Sequence, residues 1–404
     1  MIQAVILARG LGMRQRPLTF TRPKPILEFG GTTILEHTLE ALSGLVGEVI
    51  FVVGAQEEDI QKQIGSKFQK IKIRYVRQEK PLGTGDALYQ ARPYLREKFL
   101  VMNGDDFYTN EDIGKVLKKF PSILIQEVEN PSSFGVVFKK GELMEKLVEK
   151  PKKSLSHLAN TGLYFLDKQV FETTLEKSER GEFELTQAIE ALAQKRKMFV
   201  VEASHWIPIS YPWDLLMANQ FLLEQQKGSV KEARIEKGVV LKGEIILGAG
   251  TVVKSGSYLE GPLWIGSESQ IGPNAYLRPA TMIGSRCRIG ANVEVKNSII
   301  GDGTHIDHLS YVGDSILGHD CHLGAGTIIA NLRFDQKLVE VEVKGKMVST
   351  RRKEFGAVLG DGVKVGVNSS LMPGVLIDPE VIIGPHSLVK NNLKNSKFID
   401  EKKH

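Results

Sequence analysis

Cysteine is nearly absent: Cys287 and Cys321 are the only two in 404 residues. No disulfide framework can be built from them, and a reducing cytoplasm is the expected setting. Proline is sparse at 16 residues. No apolar run approaches the roughly 18 residues of a membrane helix, and the chain enters a Gly-rich loop by residue 10, where a secretory leader would carry its apolar stretch. A soluble, retained protein with no membrane partner is therefore expected. Charge of one sign is lacking too, because 53 Lys and Arg against 48 Asp and Glu leave only +5. That surplus is too thin for a nucleic-acid partner, although small anionic substrates suit it. What is plentiful is glycine, 40 residues, which asks for many tight turns. Length and the ordinary 42% hydrophobic content point to two or three globular domains.

Two halves differ in period. Up to about residue 228, the runs at 2–8, 48–54, 98–104 and 158–167 read as strands, and 34–43, 57–66, 84–92, 111–119 and 184–195 read as helices. This alternation predicts an α/β sheet domain, Rossmann-like, with mostly parallel strands. The stretch 212–227 opens with Pro212, has Leu216, Asn219 and Leu223 at helical spacing, and ends at Gly228, so it reads as a bridging helix. The expected domains are 1–228 and 229–404.

From Ile235 the period becomes six. Ile235, Leu241, Leu247, Val253, Leu259, Ile265, Ile271, Leu277, Ile283, Ile289 and Val295 follow without a gap. The pattern slips by one at Ile300, slips again at Leu317, and is regular from Leu359 to Val389. Hexapeptide repeats of this kind mark a parallel β-helix, three hexads to a coil. Cys287 and Cys321 fall at inward positions and read as core. The hexads led by Leu277, Val295, Val312 and Ile329 share one side, so Arg278, Lys296 and Asn331 are expected along one edge, with His308 and Tyr311 approaching from the adjoining side. A ladder of solvated polar residues is the plainer alternative. A basic excursion at 332–358 interrupts the coil, alternates like a hairpin and carries Lys337, Lys344, Lys346, Arg351, Arg352 and Lys353. It could grip the phosphates of a large anion or simply be a solvated loop.

The first strand runs into LARGLGMRQRPLTFTRPKP. A dinucleotide-binding turn would need glycine at 15, where Gln15 stands. A Gly loop followed by Arg14 and Lys24 suits a triphosphate instead. QEKPLGTGDAL (78–88), NGDD (103–106), FGVV, VEKP, NTGLY and FELT follow in order, then LRPATMIG, VEVKN, HLSYVGD and GAGTIIANL. Together they resemble the bifunctional sugar-1-phosphate uridylyltransferase and amino-sugar-1-phosphate N-acetyltransferase family in its archaeal-type form, and the resemblance spans nearly all of residues 2–390.

The resemblance implies UTP, sugar 1-phosphates and acetyl-CoA as substrates, Mg²⁺ as cofactor, a left-handed β-helix and a homotrimer with acetyl-transfer sites between subunits. By it, Ala8, Gly10, Gln78, Gly83 and Thr84 would hold the nucleotide, Arg14 and Lys24 its phosphates, Gly135, Glu149 and Asn160 the sugar, and Asp105 the metal. His308 would be the general base, a histidine being the usual side chain for that task at neutral pH. Arg278 and Lys296 would bind the sugar phosphate, Tyr311 and Asn331 would position the sugar, and Lys337 would lie near the acetyl group.

Three positions depart from the family pattern. Arg9 stands where a small residue is usual, Leu332 replaces a tyrosine, and Pro208 occupies the place of a second metal-binding carboxylate. Asp106, Asp214 or water would have to substitute at the metal. A weakened uridylyl site is the corresponding expectation, with acetyltransferase activity alone as the alternative, and restoring Asp at 208 and Ala at 9 should then raise pyrophosphate release. His305, His308, His319 and His322 give two HxxH pairs that also admit a zinc-dependent β-helix enzyme of carbonic anhydrase type. A non-catalytic regulatory subunit is a third class.

Overall fold

The computed structural model describes residues 2–394 apart from 11, 56, 154 and 231; the end of the polar tail, 395–404, lies outside the described residues. The chain divides into two compact units, Met1–Leu11 with Ile34–Pro208, and Gly12–Thr33 with Ile209–His404.

The first unit is built on a ten-stranded sheet. Four strands run parallel at its centre: Ile2–Leu7 lies between Lys98–Asn103 and Val46–Val53, and Val46–Val53 also pairs with Ile71–Arg77. The inner residues of the first three are almost entirely buried, as expected of strands covered on both faces, whereas Ile71–Arg77 alternates between buried and exposed positions. Beyond these four the expected parallel character gives way to a mixed sheet, with Phe199–Glu202 parallel to Ser122–Glu127 but other neighbours antiparallel. Leu158–Asp167 runs antiparallel to both Lys98–Asn103 and Ser122–Glu127, and the edge strand Gly135–Lys140 forms an antiparallel hairpin with its neighbour Leu143–Glu149. In the hairpin, a turn of a few residues between 140 and 143 permits only antiparallel return. Helices Ile34–Leu42, Glu57–Ile64, Thr84–Ala91 and Leu185–Lys195 fall where the periodicity placed them.

In the second unit the chain visits three parallel sheets in rotation, of eight, eight and seven strands. The arrangement is that of a β-helix. Leu277 pairs with Val295, Val295 with Val312, and Val312 with Ile329, so the side proposed from the period is continuous. From Leu247 onward the leading residues form one buried core that includes Cys287 and Cys321, whereas Leu241 is partly buried and Ile235 exposed at the start of the coil. The excursion contains the antiparallel hairpin Glu340–Val343 with Lys346–Ser349, after which Val358 and Leu359 pair with Ile316 and Leu317.

The helix Pro212–Leu223 and the segment Gly12–Thr33 both belong to this second unit, not to the first domain as the boundary at 228 anticipated. Asn219, fully buried on that helix, explains why: its Oδ1 accepts the Gly30 N–H at 2.9 Å and its Nδ2 donates to the Ala280 carbonyl at 2.8 Å. Asp361 adds a second tie by accepting from Thr21 Oγ1 at 2.6 Å and from Arg22. An apolar residue at 219 would leave two buried backbone groups unpaired.

Candidate functional site

Three groups of side chains stand out, one in the first unit and two in the second. In the first unit, the carboxyl ends of the central strands place Ala8, Gln78 and Gly104 together: Ala8 N–H donates to Val52 O, Gln78 N–H to Val53 O and Gly104 N–H to Leu7 O. Ligand sites of parallel sheets form at such ends. Gln78 is buried, and its amide nitrogen donates to Gly83 O at 3.1 Å and to Asp86 Oδ2 at 2.6 Å. Gly83 has φ +110, and a Cβ there would lie 2.5 Å from the Phe183 carbonyl, so only glycine serves. Thr84 Oγ1 accepts the Leu185 N–H at 3.1 Å, while Gly10 is exposed. Gly135, Glu149 and Asn160 also converge: Gly135 pairs with Glu149 across the hairpin, and a Cβ at 135 would sit 3.2 Å from Glu149 Oε2 and 3.4 Å from Asn160 Nδ2.

Arg9 does not project as a free cation. Its stem covers Gly54, Nε donates to Gln78 O at 2.9 Å and Nη2 to Glu79 O at 3.1 Å. Burial lowers its pKa, and the nearby Asp86 and Glu79 work against that shift. Asp105 is half-exposed just beyond the strand Lys98–Asn103, and its neighbour Asp106 is buried, with Asn103 Nδ2 at 3.3 Å. Pro208 lies opposite Asp106 in a short antiparallel ladder and its side chain brings no ligand atom. Asp105 supplies a hard oxygen suited to Mg²⁺, an ion that commonly takes one or two carboxylates with phosphate oxygens and water.

In the second unit, Lys24 is buried and Arg14 lies over the Tyr211 ring at 5.5 Å. Both cations bear on Asp214. That carboxylate accepts the N–H groups of Ser210 and Tyr211, each at 2.7 Å, and so caps the helix Pro212–Leu223. Both cap bonds go to one oxygen, Asp214 Oδ2.

The third group centres on Asp314, a residue sequence reasoning passed over although it ends the HLSYVGD stretch. Its nearly buried carboxylate faces Lys296 Nζ at 3.4 Å, Arg352 Nη2 at 3.4 Å, Asn331 Nδ2 at 2.6 Å and Asn297 Nδ2 at 2.6 Å. Lys296 also binds Glu354 at 2.5 Å. Burial alone would lower the lysine pKa, but Glu354 and Asp314 raise it above the ordinary value. Asn331 is not in the ladder that contains Lys296, whose partner is Gly313. It enters because Gly313 has no side chain: a Cβ there would lie 2.5 Å from Tyr311 Oη and 2.8 Å from Asn331 Nδ2. Arg278 forms an ion pair with Glu294 at 3.0 Å. His308 is exposed three residues before Tyr311. Lys337 is exposed in the excursion, its N–H donating to Asp335 Oδ1 at 3.2 Å.

The nucleotidyl transferase family matches residues 3–225, and the GMPPB C-terminal domain matches residues 259–399. A bifunctional protein GlmU of Methanococcus maripaludis strain C7 is 45% identical over 407 residues, covering 99% of this chain and 98% of its own. The chain belongs to the bifunctional GlmU family. A bifunctional sugar-1-phosphate nucleotidylyltransferase/acetyltransferase of Sulfurisphaera tokodaii is 38% identical over 406 residues, 98% of this chain and 99% of that one. The solved UDP-glucose pyrophosphorylase complexed with UDP-glucose aligns at TM-score 0.51 and 20% identity, over 56% of this chain and 100% of that one, and shares the fold of the nucleotidyltransferase part.

GlmU membership bears on the alternatives. His305 and His322 do stack, with ring centroids 6.1 Å apart. His322 Nε2 is engaged by Asp307 at 3.2 Å, and full-length GlmU similarity favours transferase chemistry over a zinc reading. Among the described residues no helix is long and apolar enough to cross a membrane.

Proposed function

We propose that the chain carries out two steps of sugar-nucleotide synthesis. One transfers acetyl from acetyl-CoA to the amine of glucosamine 1-phosphate. The other transfers a uridylyl group from UTP to N-acetylglucosamine 1-phosphate, giving UDP-N-acetylglucosamine and pyrophosphate. The observation that carries this reading is GlmU similarity along 99% of the chain, which leaves neither compact unit out.

For acetyl transfer, the role of His308 is to take a proton from the sugar ammonium. The freed amine attacks the thioester carbonyl and CoA leaves. General base catalysis of this kind contributes about 10²–10⁴ in rate. Arg278 and Lys296 hold the sugar phosphate, with Lys296 kept charged by Glu354 and Asp314. Tyr311 and Asn331 orient the sugar, and Lys337 lies towards the acetyl group. The coil is left-handed and the active form a homotrimer that completes these sites, in a cytoplasmic setting.

For uridylyl transfer, Ala8, Gly10, Gln78, Gly83 and Thr84 hold the nucleotide. Arg14 and Lys24 neutralise its phosphates, and Gly135, Glu149 and Asn160 hold the sugar. Asp105 would hold Mg²⁺, which when bound would supply charge compensation for the triphosphate and pyrophosphate. The protein's own contribution is alignment and fixed positive charge, since in-line phosphoryl transfer needs little else. Arg9, turned onto the carbonyls of Gln78 and Glu79, steadies the loop that carries Gln78.

One reaction tests both steps: protein, glucosamine 1-phosphate, acetyl-CoA, UTP, Mg²⁺ and pyrophosphatase, read by mass spectrometry. UDP-N-acetylglucosamine is the expected product. Accumulation of N-acetylglucosamine 1-phosphate alone would mean that acetyl transfer works and the uridylyl site is degenerate. Absence of both products would refute the reading.

A further inference from the structure

A line of rings runs within the second unit from Arg14 to the neighbourhood of Asp314. The Arg14 guanidinium lies 5.5 Å from the centroid of Tyr211. Tyr211 stacks on Trp213 with centroids 4.6 Å apart and planes 5° from parallel. Trp213, 4% exposed, meets Phe355 edge-on at 5.8 Å and 76°. Phe355 is fully buried and donates its N–H to the Asn331 carbonyl at 2.8 Å. Its chain neighbour Glu354 holds Lys296.

Local structure explains how residues 211 and 213 come to stack. Tyr211 is the N-cap of the helix Pro212–Leu223, extended at φ −130 and ψ 162, and Asp214 clamps that turn through the N–H groups of Ser210 and Tyr211. The indole therefore sits one contact away from Arg14 on one side and one contact away from Asn331 and Glu354 on the other. Ring pairs stabilise each other beyond the area they bury, and a cation over a ring adds electrostatic attraction. An arginine side chain loses rotamer freedom when it is fixed. A stack that orders Arg14 before a triphosphate arrives removes much of that cost from the binding step.

Resting on the two-reaction reading above, we propose that Trp213 is a positioning residue for both reactions, orienting Arg14 through Tyr211 and Asn331 and Lys296 through Phe355. The indole is shared while its neighbours are not, so three substitutions separate the roles. Tyr211→Leu is expected to raise the KM for UTP about five-fold and leave acetyl transfer unchanged. Phe355→Leu is expected to raise the KM for glucosamine 1-phosphate by a similar factor and leave uridylyl transfer unchanged. Trp213→Leu is expected to raise both, with Trp213→Phe restoring most of each because a ring remains.

Steady-state kinetics of full-length chains, with thermal unfolding recorded for each, decide the matter. A folded Trp213→Leu variant with either KM unchanged overturns the shared role. Should that variant not fold, the other two still decide: Tyr211→Leu acting on acetyl transfer, or Phe355→Leu acting on UTP, is incompatible with separate arms meeting at the indole. A wild-type chain lacking both turnovers would instead overturn the two-reaction reading itself, and this role with it.

Discussion

Burial pushes the Asp214 carboxyl up to about 6, against the opposing pull of the Tyr211 and Ser210 N–H groups and of Lys24 and Arg14. A carboxyl raised above its unfolded value near 3.8 binds its proton more tightly in the native state. Its contribution to stability is therefore complete below about pH 4 and is lost as pH rises through 6. Asp214→Asn removes the titration and keeps an oxygen for the cap. The stability of wild type relative to that variant should fall between pH 4 and 6, by up to about 3 kcal/mol, in urea unfolding curves taken across that range; a flat difference would contradict the raised pKa. The two cysteines pose a simpler case, since burial drives both thiols up to about 12. Thiol titration of the native protein at pH 8 should find neither reactive, and both after denaturation. At His308, replacement by Ala should cost acetyl transfer about 10²–10⁴-fold while uridylyl transfer and the unfolding temperature stay as in wild type.

Elements show how far a periodic pattern carries. The strand Leu158–Asp167 and the helix Leu185–Lys195 lie where alternation and helical spacing put them, because each has a buried face with its own period. The strands Gly135–Lys140 and Leu143–Glu149 escaped such reading, since Lys139, Lys140, Glu145 and Lys146 on that exposed edge break up the apolar alternation. Yet this hairpin brings Gly135 to Glu149. The loop before the helix Thr84–Ala91 depends on Gly83, whose positive φ and 2.5 Å approach to Phe183 O exclude a side chain. Gly83→Ala should lower stability by about 1–3 kcal/mol and raise the KM for UTP, checked by unfolding and steady-state kinetics. Loss of stability with an unchanged KM would separate the loop from nucleotide binding.

Across the whole molecule, the segment Gly12–Thr33 groups with the coil. Asp361 accepts from Thr21, Arg22 and the His319 N–H. Burial alone would raise its pKa, but these partners hold it below the ordinary carboxylate value. A fragment ending at residue 228 keeps every residue assigned to uridylyl transfer and deprives Thr21 and Arg22 of that anchor. It should lose most uridylyl activity. In the full chain, Asp361→Ala should raise the KM for UTP without reaching the acetyl-transfer constants, because its contacts on the segment end within two residues of Lys24. A fully active fragment would contradict this assignment.

Sequence alone determined what repeats: the alternating α/β half, the six-residue coil, the inward cysteines, and the shared side of Leu277, Val295, Val312 and Ile329. It also carried the motifs of the GlmU family, including the departures at Arg9 and Pro208. Repetition makes these legible, since each unit packs against a copy of its own pattern. Tertiary structure decided what does not repeat. Asp314 gathers Lys296, Asn331 and Arg352 from three separate stretches, Asn331 enters through the space that Gly313 leaves, and Arg9 folds onto carbonyls nearly 70 residues away. Such contacts join residues distant along the chain through single side chains, and the requirement that buried charges and backbone groups find partners selects them only once the chain has folded.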